Sequence, residues 1–308
     1  MAAGMRAGNF AEGNPLTAEV SCLDYLLSLF MLLYSYLFYK SLYIYKFYVI
    51  KLMYAVGQYI LQRFGILFEH RVKNKPNKTM SGLMLMIVIA VISFIVQWRF
   101  KSKFKKYSEM PLTSGLSGKE IAGKMLADNG IFDVQIISAE GKLSDHYNPA
   151  NKTVNLSPEV YNGRSVAAAA VASHECGHAV QHAKAYTWLS FRSAMVPIVT
   201  VSSTIIQWTL MIGVLLVVFS GNIMVLAVGV AALALVTLFS FITLPVEFDA
   251  SNRALAWLKT NPGIMQSNEE NSQAKDALWW AAMTYVVAAL GSLAALLYYA
   301  SMLAGRRN

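Results

Sequence analysis

Long apolar runs alternate with polar stretches along this chain. Four runs contain almost no charged side chain, and they cover residues 80–98, 197–219, 223–244 and about 277–302. Each is close to or above the roughly 20 residues that an α-helix needs to cross a bilayer. The last run has Trp279 and Trp280 at one end and Tyr298 and Tyr299 at the other, as expected for aromatic side chains at the two membrane interfaces. The pattern predicts a predominantly α-helical integral membrane protein, with transmembrane helices at 80–98 and 277–303.

The second and third runs predict a transmembrane hairpin over 197–245. Only Ser220, Gly221 and Asn222 separate them, and so short a connection is typical of antiparallel neighbouring helices. Because a hairpin returns the chain to the side that it left, the segment 246–276 is expected on the same face as the residues before 197. This segment is expected to begin a new helix near Glu247.

The segment 99–196 predicts a small α+β module at the membrane surface. Ser117 and Glu120 have the spacing of a capping box, and the helix that they begin should end near residue 130. The other elements predicted for this module are strands over 132–138 and 152–156 and an alanine-rich helix over 164–184.

Residues 1–79 differ from the rest of the chain. Part of this extension is rich in tyrosine, leucine and phenylalanine and is interrupted by lysines. This part has two interpretations: a transmembrane span near 25–39, or an aromatic helix that lies on the membrane surface. The residue order of a cleavable signal peptide is absent, and a start at Met80 or Met84 is an alternative. We assign the extension no function.

The overall composition agrees with a membrane protein. The chain of 308 residues is 56% hydrophobic and 14% charged, and its mean hydropathy is +0.44, which is unusual for a soluble domain. The net charge is +9, but the basic residues lie beside the apolar runs. Membrane topology therefore explains the charge, and no nucleic-acid partner is expected. The two cysteines, Cys22 and Cys176, imply no disulfide framework.

The predicted alanine-rich helix carries candidate chemistry. His174 and His178 are four residues apart, so on a helix they lie on one face and can bind one tetrahedral zinc ion. Glu175 lies beside them and can act as a base toward a zinc-bound water, whose pKa is lowered to about 7. This spacing predicts a catalytic Zn²⁺ site for peptide-bond hydrolysis.

A catalytic zinc needs a third protein ligand. The predicted hairpin brings Glu247 and Asp249 to the side of the alanine-rich helix over 164–184, which we call the motif helix. His182 lies one turn further along that helix. Glu247 is favoured, because two histidines and a glutamate form a known catalytic set and three successive turns do not surround one ion. His182 and Asp249 stay open as ligands, and an ion pair of Glu247 with Arg253 is the structural alternative.

Peptide hydrolysis also needs a group that stabilises negative charge on the carbonyl oxygen. His146 and Tyr147 are the candidates, and they precede the predicted strand 152–156, which could pair with an extended substrate. The alternative is a structural role for both residues in the turn before that strand.

Three motifs in this order resemble the YugP-type neutral zinc metallopeptidases of bacterial membranes. They are LSDHYNP at 143–149, HECGHAVQHA at 174–183 and LPVEFDASNRAL at 244–255. The resemblance covers about residue 80 to the C-terminus. This family is similar in its overall plan to the HtpX-type and CAAX prenyl proteases. The resemblance implies a zincin-like module and Glu247 as the third zinc ligand. The expected substrates are proteins or peptides, and a catalytic centre at the membrane face suggests membrane proteins among them.

One position departs from the related proteases. The HtpX-type and prenyl proteases usually carry an aspartate four residues after the ligand glutamate, which orients a zinc histidine, and here that position is Ser251. We expect Asp249 or Ser251 to take this role.

The charge distribution predicts the orientation in the cell membrane. Five basic residues between 99 and 106 follow the predicted transmembrane helix at 80–98. By the positive-inside rule they place the module in the cytoplasm. A second basic cluster, at 71–78, precedes that span. An intramembrane protease and a non-catalytic zinc-binding scaffold or regulator are the alternative functions, and Glu175 argues against the scaffold because a structural zinc needs no adjacent base.

Overall fold

Helices dominate the described part of the chain. A computed structural model describes residues 78–141 and 144–304. Its elements in chain order are α1 Lys78–Ser108, α2 Gly118–Asp128, β1 Gln135–Ser138, β2 His146–Asn148, β3 Thr153–Leu156, α3 Pro158–Tyr161, α4 Val166–Ala183, α5 Thr187–Ser220, α6 Met224–Thr260 and α7 Asn268–Ala304. The span suggested near 25–39 lies outside the described residues.

Four of the described helices have the length and apolar composition needed to cross a membrane. Their candidate spans are Met84–Ser108, Thr187–Val217, Met224–Thr260 and Asn268–Ala304. Each contains one of the four apolar runs in whole or in large part. The helices are longer than the runs, so that α1, α5, α6 and α7 also contribute residues to the α+β module.

The helix α6 continues through Pro245. It runs without a break over Met224–Thr260, so the prediction of a new helix beginning near Glu247 is wrong. Proline removes one backbone hydrogen bond and hinders the carbonyl four residues before it. A long helix that is packed against neighbours tolerates this local loss.

The hairpin connection agrees with the prediction. Helix α5 ends at Ser220 and α6 begins at Met224. Gly221 has a φ of +71°, a conformation that favours glycine, and the Asn222 side chain accepts a hydrogen bond of 2.9 Å from the Met224 amide.

The described residues fall into two compact units. Gln207–Gly229, at the hairpin connection, belongs to one, and the residues up to Ile206 and from Val230 onward belong to the other. In the first unit a Cβ on Gly213 would lie 2.6 Å from the Leu226 backbone, so the two helices approach closely there. In the second unit α5 and α6 pack through Met195, Val199 and Ile242.

A mixed three-stranded sheet lies beside the motif helix. The strand order is β1-β3-β2, with β1 parallel and β2 antiparallel to β3. The predicted strand 152–156 is β3, the central strand, and both of its edges are occupied. The prediction that this strand pairs with a substrate is therefore wrong. Strand β2 has only three residues and was predicted as a turn.

The helix α4 lies at the centre of the hydrophobic core. Its alanines 167–170 and Ala172 are almost fully buried, and the core also includes residues of α2, β3, α6 and α7. Small side chains allow neighbouring helices to approach this helix from several sides. The capping box of Ser117 and Glu120 at the start of α2 is also present, as predicted.

Candidate metal centre

Three candidate ligands from two helices converge at one point. His174 and His178 of α4 direct Nε2 atoms at Glu247 of α6, and the Glu247 Oε2 atom lies 3.3 Å and 3.6 Å from them. The potential ligand atoms of these three residues all lie within 4.8 Å of one another. Two imidazoles and a carboxylate at such separations form a suitable set for one zinc ion.

A glycine allows the two helices to meet at this point. A Cβ on Gly177 would lie 2.5 Å from the Ala250 carbonyl oxygen, a distance that no side chain can occupy. Gly177 lies between the ligands on α4, and Ala250 lies between Glu247 and Ser251 on α6. The absent side chain therefore lets α6 bring its ligand to the histidines.

The outer nitrogens of both histidines have acceptors. His178 Nδ1 lies 3.0 Å from the Gln181 side-chain oxygen, and His174 Nδ1 lies 3.1 Å from Ser251 Oγ. An amide oxygen only accepts, so His178 carries its proton on Nδ1 and leaves the lone pair of Nε2 for a metal. The expectation that Ser251 orients a zinc histidine agrees with this contact.

The orientation of the Gln181 amide is itself fixed. Its nitrogen donates 2.8 Å hydrogen bonds to the Val246 carbonyl and to Asp249 Oδ2. Asp249 also accepts a 2.5 Å hydrogen bond from Arg253 Nε, so Arg253 pairs with Asp249 and not with Glu247. Asp249 thus supports His178 through Gln181 and does not join the ligand set.

The Glu247 carboxylate shows that a cation fits the site. Its Oε2 atom is buried and accepts no well-formed hydrogen bond within the described ranges, although a buried carboxylate oxygen normally has a donor. A metal ion between Oε2 and the two Nε2 atoms would satisfy it. The residues present therefore fit zinc.

The candidate base Glu175 lies next to the ligands. This carboxylate is only 8% exposed and accepts a 3.0 Å hydrogen bond from the Tyr147 amide. Burial raises its pKa to about 7, and the charges of Glu247 and Asp145 add to this shift, while His174 and the Tyr147 amide oppose it. A nearby metal cation would lower this pKa and favour the carboxylate form.

The structure places His146 and Tyr147 on β2, near Glu175. His146 is exposed, and its Nδ1 lies 2.7 Å from the Ser144 carbonyl oxygen. The Tyr147 hydroxyl is hydrogen-bonded to His182 Nδ1 at 2.7 Å. Tyr147 therefore contacts Glu175 through its backbone amide. His182 is hydrogen-bonded to Tyr147, and the third member of the candidate ligand set is Glu247.

A cavity of about 240 Å³ opens over the ligands. Its lining comes from the β2 region, α4, α5, α6 and α7 and consists of Asp145, His146, Tyr147, Pro149, His174, Glu175, His178, Leu189, Arg192, Ser193, Val196, Glu247 and Tyr285. Gln181, Arg192 and Tyr285 are not among the site residues predicted from the sequence. Only Gln181 carries a sequence signal, because it follows His178 by three residues and so lies near it on the helix.

Comparisons with known proteins agree with this centre. Residues 82–304 match the family model described as "Putative neutral zinc metallopeptidase". The chain is 39% identical over 226 residues to "Putative membrane protease YugP" of Bacillus subtilis (strain 168), covering 73% of this chain and 98% of that protein. No solved structure matches. The chain therefore belongs to the YugP-type family of neutral zinc metallopeptidases, with zinc as its cofactor.

Proposed function

We propose that this protein is a membrane-bound zinc metallopeptidase that hydrolyses peptide bonds of protein substrates near the membrane. The observation that carries the proposal is the convergence of His174, His178 and Glu247 with the Glu175 carboxylate beside them. A structural metal site would need four protein ligands and no base. The mixed sheet beside the motif helix supports a zincin-like plan for the module.

The residues around the cavity have separate roles in this reaction. His174, His178 and Glu247 would hold zinc, which when bound supplies Lewis-acid polarisation of the scissile carbonyl and of a water molecule. Glu175 takes a proton from the attacking water and later delivers it to the leaving amine. The hydrogen bond from the Tyr147 amide holds the Glu175 carboxylate in position for both steps.

The arrangement of the cavity favours an extended peptide as the substrate. Strand β2 lines one side, and within the described residues only its edge toward β3 is paired in the sheet. A peptide strand can add to such an edge through backbone hydrogen bonds. Helix α5 contributes Leu189, Arg192 and Val196 to the lining of the same cavity.

The length of α6 supports a site at the membrane surface. Glu247 is 23 residues beyond Met224, or about 35 Å along a helix that rises 1.5 Å per residue. The hydrocarbon core of a bilayer is about 30 Å thick. If α6 enters the bilayer near Met224, Glu247 lies beyond the opposite boundary of the hydrocarbon core. Segments of membrane proteins that lie next to the bilayer can reach the site there. With the basic residues at the end of α1, we place this face in the cytoplasm of a multi-pass protein.

Replacing the proposed base tests the reaction. Glu175→Gln keeps an oxygen that can accept from the Tyr147 amide but cannot take a proton. We expect it to retain zinc and to lose at least about 100-fold in cleavage rate, the usual contribution of acid–base catalysis. Cleavage of fluorescein-labelled casein and elemental analysis of the purified protein measure both quantities. Equal cleavage by wild type and variant would contradict the proposal.

A pair of substitutions tests the third ligand. Glu247→Ala removes the carboxylate that faces both histidines, so the purified protein should contain far less zinc. His182→Ala is the matched control, because His182 bonds to Tyr147, and it should retain zinc. Zinc loss in the His182 variant but not in the Glu247 variant would reverse the assignment.

A further inference from the structure

An arginine on α5 lines the same cavity as the candidate zinc ligands. Arg192 Nη1 lies 3.8 Å from Glu247 Oε1, whereas the two histidines lie near the other carboxylate oxygen, Oε2. The Arg192 Nε atom is buried and has no hydrogen-bond partner among the described residues. Arg192 is thus a lining residue of the cavity with donor capacity that these contacts leave unused.

Metal binding alone gives this arginine no role. The Arg192 side chain is 32% exposed, and its guanidinium has a permanent positive charge and five N–H donors; only the Nε donor is buried without a partner among the described residues. A divalent cation a few ångströms away adds electrostatic repulsion. Glu247 offsets part of this cost, but its Oε2 atom faces the histidines. The Arg192 Nε–H and Nη–H groups thus remain available to a hydrogen-bond acceptor that enters the cavity.

We propose that Arg192 is a catalytic residue that donates a hydrogen bond to the carbonyl oxygen of the scissile peptide. This inference rests on the proposed peptidase function. When the oxygen of water adds to the carbonyl carbon, the electron pair of the C=O double bond moves to the carbonyl oxygen, and Glu175 takes the proton. When the C–N bond breaks, that electron pair reforms the double bond and the proton passes to the leaving nitrogen. Arg192 stabilises the oxygen between these two steps.

The contacts of the two residues predicted for this role favour Arg192. The Tyr147 hydroxyl is bonded to His182, and His146 Nδ1 lies against the Ser144 carbonyl oxygen. Arg192 instead has a buried donor that is unsatisfied within the described residues, and it lies beside the third ligand. A donor that is held in place before the reaction stabilises developing charge best.

Steady-state kinetics on fluorescein-labelled casein test this role. For Arg192→Ala we expect kcat to fall by about 100-fold to 1000-fold, the usual effect of losing one such donor. KM should change less than about 3-fold, and the zinc content should stay at the wild-type value. Millimolar guanidinium should restore part of the kcat of Arg192→Ala. Arg164→Ala, which removes an exposed arginine elsewhere in the module, is the matched control and should keep the wild-type kcat.

A binding measurement separates transition-state stabilisation from other roles. In the Glu175→Gln background, adding Arg192→Ala should leave the Kd for fluorescein-labelled casein, measured by anisotropy, within about 3-fold, because the donor acts mainly after attack. A loss confined to KM and Kd would make Arg192 a ground-state binding residue, and loss of zinc would make it structural. Either result overturns the inference, as does an unchanged kcat. If wild type cleaves no better than Glu175→Gln, the peptidase function fails first, and the role of Arg192 fails with it.

Discussion

One buried side chain, Gln181, decides how His178 can act. Its amide nitrogen donates to the Val246 carbonyl and to Asp249, so its oxygen must face His178 Nδ1. That oxygen holds the proton on Nδ1 and exposes the Nε2 lone pair to the metal position. Histidine ligands commonly depend on such a partner for their tautomer and orientation. Gln181 therefore contributes to zinc binding without contacting the metal position.

Replacing Gln181 should weaken zinc binding. Gln181→Leu keeps a similar volume but leaves the His178 Nδ1 proton and the Val246 carbonyl without their partner. We expect zinc affinity to fall by about 10-fold to 100-fold. Competition against a chromophoric chelator measures the Kd of the metal. Ser173→Ala is the control, because the Ser173 hydroxyl is buried without a hydrogen-bond partner in the described ranges and its removal should not weaken zinc binding. An unchanged Kd in the Gln181 variant would show that its hydrogen bond is dispensable.

At the scale of the elements, the packing of α4 against α6 assembles the site. The contact of Gly177 with Ala250 sets the separation of the two helices. Glu247 and Ser251 lie on one face of α6, one turn apart, on either side of this contact. A change of a few tenths of an ångström in the separation would move a ligand and a histidine partner together.

A methyl group at Gly177 should therefore disturb both folding and metal binding. The Cβ of Gly177→Ala would meet the Ala250 carbonyl oxygen at 2.5 Å, and overpacking of this kind costs about 1–3 kcal/mol. We expect a lower Tm and a larger loss of stability in the presence of zinc than in its absence. Thermal unfolding with zinc and with a chelator measures both effects.

The same substitution at Gly263 is the matched control. Beyond its chain neighbours, no heavy atom of the described residues lies within 4 Å of the position of its Cβ, and its φ is not positive. Gly263→Ala should leave the Tm unchanged or raise it slightly. A Tm of Gly177→Ala equal to that of Gly263→Ala would contradict the close packing of α4 and α6.

The elements show what the sequence could predict. The spacing of His174 and His178 is local, and helix geometry alone places them on one face. The prediction that Glu247 is the third ligand required only that a hairpin return the chain to the same side. The roles of Gln181 and Arg192 depend on the rotation of α4, α5 and α6 about their axes, which no single-helix pattern contains. Strand β2 is too short to show alternation, and its pairing with β3 comes from the tertiary fold.

At the scale of the whole molecule, the proposed topology connects the site to the bilayer. Helices α5 and α6 both supply residues to the cavity lining, and the connection after Ser220 joins them in the chain. If both helices cross the membrane, the connection lies on the face opposite to the module. The positive-inside rule predicts that the basic end of α1 is on the cytoplasmic side, as proposed above.

Labelling of single cysteines tests this topology. In a Cys22→Ala background, Lys105→Cys adds a thiol at the exposed end of α1 and Ser220→Cys adds one at the hairpin connection. Cys176 can remain, because it is fully buried. We expect a membrane-impermeant maleimide to label Ser220→Cys in right-side-out vesicles and Lys105→Cys in inside-out vesicles. The reverse pattern would invert the protein in the membrane, and labelling of both in one preparation would exclude the crossing.

The shared use of α6 has a thermodynamic consequence. This helix supplies the third ligand, the hydroxyl beside His174 and the carboxylate that fixes Gln181. Metal binding and the docking of α6 are therefore linked equilibria, and each favours the other. A ligand that binds only the docked state at 1,000 times its Kd stabilises that state by about 4 kcal/mol. The zinc concentration of the compartment would thus set how firmly the Glu247 end of α6 is held against α4.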